Sequence, residues 1–446
     1  MKTKTFRAFL LFLLIGVAAV SLPAPSAQQA PAIQAAPASQ ALATATPESV
    51  GMSSERLQRL HQGMQGFVDR HEVSGIVTLV ARDGKIADVH AVGFQDVENR
   101  TPMKTDTIFR IASMTKPITS VAIMMLHEEG KLQLSDPVSR FIPAFGTMKV
   151  STGANGATEP ARRPITIRDL LSHRSGLTYG FLNGGEVGNA YRKAGVPDGL
   201  SITEGTIEQV VAKLAAQPLV SQPGAAWNYS LSTDVLGRVI EVASGMTFDA
   251  FLRDRVFKPL GMMDTSFDVP EAKWSRFATV YSPDGANGIR PMKDPETFGN
   301  TVMSPFAYYK SPKKYFSGGA GLTSTARDYA RFAEMLVDGG ALGNIRLLSP
   351  KSIELMATSA TSDLPPNALV GPGANFGLGF KVTTDLGASQ ELGSEGMYGW
   401  LGIYGTSFWV DPKERLIAIM MVQRYPGSPV GALFQPLVYQ AITKSH

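Results

Sequence analysis

Ile111-Ala112-Ser113-Met114-Thr115-Lys116-Pro117 is where an extended segment (107–110) gives way to a helix. Pro117 supports that boundary, because in the first helical turn its missing N–H is not needed. Beyond it, Ile118, Val121, Ala122, Met125 and Leu126 recur at helical spacing, which predicts one largely buried helix over 114 to about 129. Residues three apart share a helix face, so Ser113 at the N-terminus and Lys116 one turn below it point at the same space. This geometry suits a serine nucleophile with a lysine as its base. The same serine also suits a plain N-cap, whose hydroxyl satisfies a free backbone N–H. A second Ser-x-x-Lys, Ser311-Pro312-Lys313-Lys314, lies in a polar loop with no helix behind it, so spacing alone does not decide between the two.

A chain of 446 residues can bury a large core and is expected to form two lobes. Its start has the parts of a secretory signal: Lys2, Lys4 and Arg7, an apolar run over 8–20, then small residues and prolines. Residues 1–27 are therefore expected to be removed on export to the periplasm or beyond. Losing those three cations takes the formal charge of +4 down by three, to +1. With no Lys/Arg cluster and no aromatic-basic run, a nucleic-acid surface is excluded. The apolar run is short for a bilayer span, and no other stretch is long enough, so no stable membrane span is expected after processing. With no cysteine there is no disulfide, thiolate nucleophile or lipidated cysteine.

Residues 28–46 read as an Ala/Pro/Gln-rich tether. Ser53 or Ser54 caps a helix with Leu57, Leu60, Met64 and Phe67 on its apolar face. Strands are expected over 73–80 and 85–94, turned at Asp83-Gly84. Helices follow over 166–173, 207–214, 233–243 and 247–257. The glycine-rich 178–200 is expected to wall a cleft, and 264–315 reads as loop. Ser324 is expected to cap a helix carrying Tyr329, Phe332 and Leu336, with another helix over 350–356. Strands return over 376–383, 402–410 and 416–424, the last two joined at Asp411-Pro412-Lys413-Glu414. A final helix spans 429–444. The fold class is therefore α+β. An antiparallel sheet domain (47–130 and 310–446) carries the first and last helices on one face, and a mainly helical domain with long loops (131–309) forms the second lobe. The Ser113 helix falls at their junction, where sites often lie.

Several chemistries are poorly supplied. There is no Gly-x-Ser-x-Gly, and after Ser113 the histidines are His127, His173 and His446, so a Ser-Asp-His triad lacks support. There is no His-Glu-x-x-His and no zinc spacing, and the glycine runs 318–321 and 371–379 lack the lysine and helix of a phosphate loop. No metal or organic cofactor is expected. A base at Lys116 must be neutral, and burial lowers a lysine from its reference pKa of about 10.4 by up to roughly 3–5 units. A tyrosine facing the same space could share the proton and pass it to a leaving group. The helix N-terminus supplies half of an oxyanion hole.

The run Ile108-Phe109-Arg110-Ile111-Ala112-Ser113-Met114-Thr115-Lys116 resembles the serine-lysine enzymes of the penicillin-recognising superfamily, above all class C β-lactamases and family VIII carboxylesterases. The resemblance runs from about Pro47 to the C-terminus. It is supported by Leu171-Ser172-His173-Arg174-Ser175-Gly176-Leu177, Pro259-Leu260-Gly261-Met262 and Gly318-Gly319-Ala320-Gly321-Leu322. It implies that Tyr229, in Trp227-Asn228-Tyr229-Ser230-Leu231, is the proton shuttle. Gly399-Trp400-Leu401-Gly402 matches the esterase form of the third motif. The resemblance then assigns the oxyanion hole to the backbone N–H groups of Ser113 and Ile403, makes Trp400 a cleft wall, and sets Met114, Leu231 and Gly402 beside the substrate. Leu231 stands where β-lactamases carry an amide-recognising asparagine, and Trp400 where they carry a cation or histidine near the β-lactam carboxylate. Loss of both contacts weakens selection for β-lactams and favours uncharged, apolar esters. The implied function is an exported serine hydrolase that cleaves small carboxylic esters, with short acyl chains, through Ser113, Lys116 and Tyr229. Two other readings stay open: a β-lactamase, D-amino-acid peptidase or acyltransferase of the same fold, and a penicillin-binding or sensor module that acylates without turnover.

Overall fold

Two apolar runs from opposite ends of the chain are neighbours in the sheet. The computed structural model describes residues 42–446 except 154–155, 286–287 and 309–312. The expected signal, the tether up to residue 41 and Ser311-Pro312 of the second Ser-x-x-Lys lie outside the described residues. The sheet strands, in chain order, are β1 (Ala43–Thr44), β2 (Gly75–Arg82), β3 (Lys85–Asp96), β4 (Thr101–Pro102), β5 (Ala374–Phe376), β6 (Lys381–Thr383), β7 (Tyr398–Leu401), β8 (Ser407–Asp411) and β9 (Leu416–Met421). Their spatial order is β1-β3-β2-β9-β8-β7-β6-β5, with β4 paired to β3. All pairs are antiparallel except β1 with β3. The β2–β3 hairpin turns at Asp83 (φ 54°) and Gly84 (φ 73°), the two left-handed residues that a tight two-residue loop requires.

Alternation along β9 assigns its faces. Leu416, Ala418 and Met420 share a core with Leu57, Leu60, Met64 and Phe67 of α1 (Ser54–Asp69) and with Phe434 and Val438 of the last helix. Ile417, Ile419 and Met421 join the larger core, with Tyr329, Phe332 and Leu336. Both faces are covered, which is why the run is apolar without a break. Ser53 caps α1 as expected, its side chain accepting from Arg56 N. The chain ends are tied by Arg82, 1% exposed, which donates to Val50 O, Gly51 O, Lys444 O and the Glu414 carboxylate.

The remaining helices that position the site are α2 (Thr115–Glu128), α3 (Ser232–Ser244), α4 (Ala326–Val337) and α5 (Gly431–Tyr439). In α2 every residue from Thr115 to Leu126 is buried, and it packs along α3. Several boundaries differ from expectation. The strand expected over 402–410 is the end of a hairpin: β7 stops at Leu401, Gly402 N donates to Thr406 O (2.7 Å), and Gly405 at φ 90° makes the turn into β8. A turn through Gly379 (φ 99°) likewise splits 376–383 into β5 and β6. Thr325 rather than Ser324 caps α4, and α5 is shorter than the expected 429–444. The 178–200 segment contains a helix, Glu186–Lys193. The 264–315 segment carries short antiparallel ribbons (Tyr281–Pro283 with Ile289–Pro291, Glu296–Phe298 with Thr301–Met303). Among the described residues no helix is long and apolar enough to cross a membrane.

Candidate active site

Ser113 is presented by a backbone under local strain. Phe109–Arg110 pairs with Thr323–Ser324, and the buried Arg110 guanidinium donates to Ala278 O and Pro305 O, which anchors the approach. Ala112 then takes φ 40°, a left-handed conformation that costs a residue with a Cβ about 1–2 kcal/mol. Residues Ala112–Met114 form a 3-10 turn leading into α2. At three residues per turn, neighbours diverge by about 120°. Ser113 therefore reaches the cleft while Ala112 and Met114 are fully buried. Neither the turn nor α2 has a side-chain cap, so the N-cap reading of Ser113 is not what the structure holds.

Lys116 lies one turn below with no exposed surface. Its Nζ is 3.3 Å from Ser113 Oγ, 2.9 Å from Tyr179 OH and 2.8 Å from Gly319 O. Burial lowers the ammonium to about 7, against a smaller opposing pull from the Asp234 carboxylate. A neutral amine has two N–H donors and one lone pair. Gly319 O can only accept and Tyr179 OH can accept as well, which leaves the lone pair for the Ser113 proton. The turn carrying Gly319 is organised by Asp234, which accepts from Tyr315 OH and Ser317 Oγ, both at 2.6 Å. A Cβ at Gly318 would fall 2.3 Å from Thr233 O, so that stretch needs glycine to reach the lysine.

Tyr229 completes the group. Its hydroxyl is hydrogen-bonded to Ser113 and accepts from Trp400 Nε1 at 3.2 Å. Lys116 Nζ sits 4.4 Å from its ring centroid. Burial pushes the phenol well above its ordinary range, so at neutral pH Tyr229 keeps its proton and Lys116 is the better base. His173 packs against the Tyr229 ring, 4.9 Å between centroids, and a hydrogen bond with Ser230 Oγ holds it. Burial, with Lys116 nearby, keeps that imidazole neutral.

Opposite Ser113, the β7–β8 turn brings Ile403 to the cleft wall. Its N–H has no hydrogen-bond partner among the described residues. The approach depends on Gly402, where a Cβ would stand 2.4 Å from Ile111 O and 2.2 Å from Thr406 Oγ1. The cleft holds about 130 Å³. Its wall includes Tyr179, Phe181, Leu182, Leu200, Leu369, Trp400 and Leu401.

The structure thus brings together Ser113, Lys116, Tyr229, Trp400 and Ile403, and corrects three substrate contacts. Met114 and Leu231 are 0% and 1% exposed and belong to the core, because the helical turns that present Ser113 and follow Tyr229 rotate their neighbours inward. Gly402 is buried and acts as a spacer behind the wall. Tyr179, bonded to the lysine, was not anticipated. It lies two residues beyond the Leu171–Leu177 stretch, in a loop with no periodicity to mark it.

Comparison with known proteins identifies the family and the fold. The family model described as Beta-lactamase matches residues 60–436. Esterase EstB of Burkholderia gladioli is 36% identical over 355 residues, covering 78% of this chain and 85% of EstB. An uncharacterized protein of Mycobacterium tuberculosis is 38% identical over 371 residues, 81% of this chain and 88% of that protein. Among solved structures, EstCE1, a hydrolase with promiscuous acyltransferase activity, superimposes with a TM-score of 0.76 at 31% identity, over 87% of this chain and 98% of that one. With the family model spanning sheet, helices and cleft alike, the chain belongs to the β-lactamase family.

Proposed function

We propose that this β-lactamase-fold serine hydrolase is an exported carboxylesterase for small, short-acyl esters. Its cleft lies between a sheet lobe (47–130 and 310–446) and a helical lobe (131–309). The observation that carries the ester reading is the lining of the cleft, which among the described residues contains no lysine, arginine or histidine to hold a β-lactam carboxylate. EstB and EstCE1 are consistent with it. Ser113 Oγ attacks the ester carbonyl as its proton passes to neutral Lys116, and the N–H groups of Ser113 and Ile403 receive the developing oxyanion. Tyr229 relays the proton from Lys116 to the departing alcohol, and collapse of the tetrahedral intermediate leaves an acyl-serine. Water, deprotonated along the same relay, releases the acid and restores Ser113. Trp400 keeps the Tyr229 hydroxyl aimed at the serine.

On one purified sample, kcat/KM for p-nitrophenyl butyrate should exceed that for a cephalosporin by at least about 100-fold, the scale on which an apolar pocket discriminates against an added polar group. The reverse order would favour the β-lactamase reading, and a stoichiometric adduct without a second turnover the sensor reading. Gly402→Ala tests the oxyanion wall. The added methyl must push Ile403 away from Ser113, and a displacement near 1 Å costs on the order of 100-fold in kcat/KM. Wild-type kinetics in a folded Gly402→Ala protein would remove Ile403 from the mechanism.

A further inference from the structure

Among the described residues, the cleft wall carries one charged side chain that the mechanism leaves unused, Asp198. It sits on the loop after the Glu186–Lys193 helix and is partly exposed. One carboxylate oxygen accepts from Leu200 N at 3.0 Å, which fixes the group's orientation. The other accepts nothing from another described residue, and no cation among the described residues pairs with Asp198. The groups that act on it electrostatically are Asp234, Tyr179 and Tyr315, none of them positive. Burial raises the carboxyl to about 6, so it is ionised at pH 8.

Beside this charge runs a chain of aromatic rings. Phe181 and Tyr179 are 5.0 Å apart between centroids, Tyr179 and Tyr229 5.4 Å, and Tyr229 and Trp400 5.5 Å. An aromatic wall attracts an organic cation through its ring faces, and a carboxylate in the same small, mostly apolar cleft adds to that attraction. The same charge opposes any substrate carboxylate. We propose that Asp198 is a specificity-determining residue that selects esters bearing an ammonium group. The inference rests on the ester reading above and names a substrate class for it.

The test compares butyrylcholine with its uncharged isostere, 3,3-dimethylbutyl butyrate, at pH 8. In the wild-type protein, the ratio of kcat/KM for the cationic over the neutral ester is expected to be on the order of 10. In Asp198→Asn it should fall at least about threefold, to the smaller preference that the aromatic wall alone confers. Because the ratio is taken within each protein, a general loss of activity cancels. Equal ratios in the two proteins would overturn the assignment while leaving the ester reading intact. Calorimetric binding of both esters to Ser113→Ala and to Ser113→Ala/Asp198→Asn gives the same ratio without turnover. If wild-type protein hydrolyses neither ester while Ser113→Ala still prefers the cation through Asp198, the ester reading falls and the binding assignment stands.

Discussion

Ser113→Ala is expected to lower kcat for p-nitrophenyl butyrate by a factor on the order of 10⁴–10⁶, the cost of removing a nucleophile from a group that acts as a unit. Residual activity should come from the Ile403 wall and from binding alone, which no longer form a covalent intermediate. The fold should tolerate the change within about 0.5 kcal/mol, because Ser113 caps no helix and, among the described residues, its hydroxyl contacts only Lys116 and Tyr229 in the cleft. Stopped-flow kinetics should show an acylation burst in the wild type and none in the variant. Intact-protein mass spectrometry with a slowly released ester should find one acyl group on the wild type alone. Wild-type turnover by Ser113→Ala would place the chemistry elsewhere in the molecule.

What the sequence made legible follows from how local each signal was. The α1 face, the Asp83-Gly84 hairpin and the two-faced β9 were readable because apolar period and turn chemistry act over a few residues. Ser113 and Lys116 were readable as a pair because one helical turn joins them, whereas Tyr229 and Ile403 needed the family resemblance to be tied to that pair. Tyr179 was missed for the opposite reason: its contact with Lys116 spans 63 residues and is set by packing. Met114 and Leu231 were set beside the substrate by the resemblance, whereas in this chain the turns that present Ser113 and follow Tyr229 rotate both into the core. The misread strand over 402–410 had its own warning, because Gly402 and Gly405 inside an apolar run mark a turn or a close backbone approach. Asp198 carried no motif, and only the folding of its loop against the cleft gives it a part.

Lys116→Met should separate the catalytic from the structural consequences of burying an amine. In the wild type, kcat/KM is expected to rise with pH through about 7, as the lysine loses its proton and becomes able to receive that of Ser113. Tyr229 adds no second rise near neutrality, since burial drives its phenol well above the ordinary range. Lys116→Met should lose on the order of 10⁴-fold in kcat/KM and the rise with it. Stability should move the other way. The folded lysine titrates near 7 and the unfolded one near the reference value of about 10.4, so between those values the unfolded chain binds more protons. Wild-type stability therefore increases with pH across that window. At or below pH 7 the full cost applies, on the order of 5 kcal/mol from the size of the shift. A methionine of similar length escapes that term, although it forfeits the bonds to Gly319 O and Tyr179 OH at every pH. The melting temperature of Lys116→Met relative to wild type should thus be highest near pH 6 and decline towards pH 10. Parallel melting curves for the two proteins over that range would mean that Lys116 is not held neutral by the fold, and the lysine would then lose its claim to be the base.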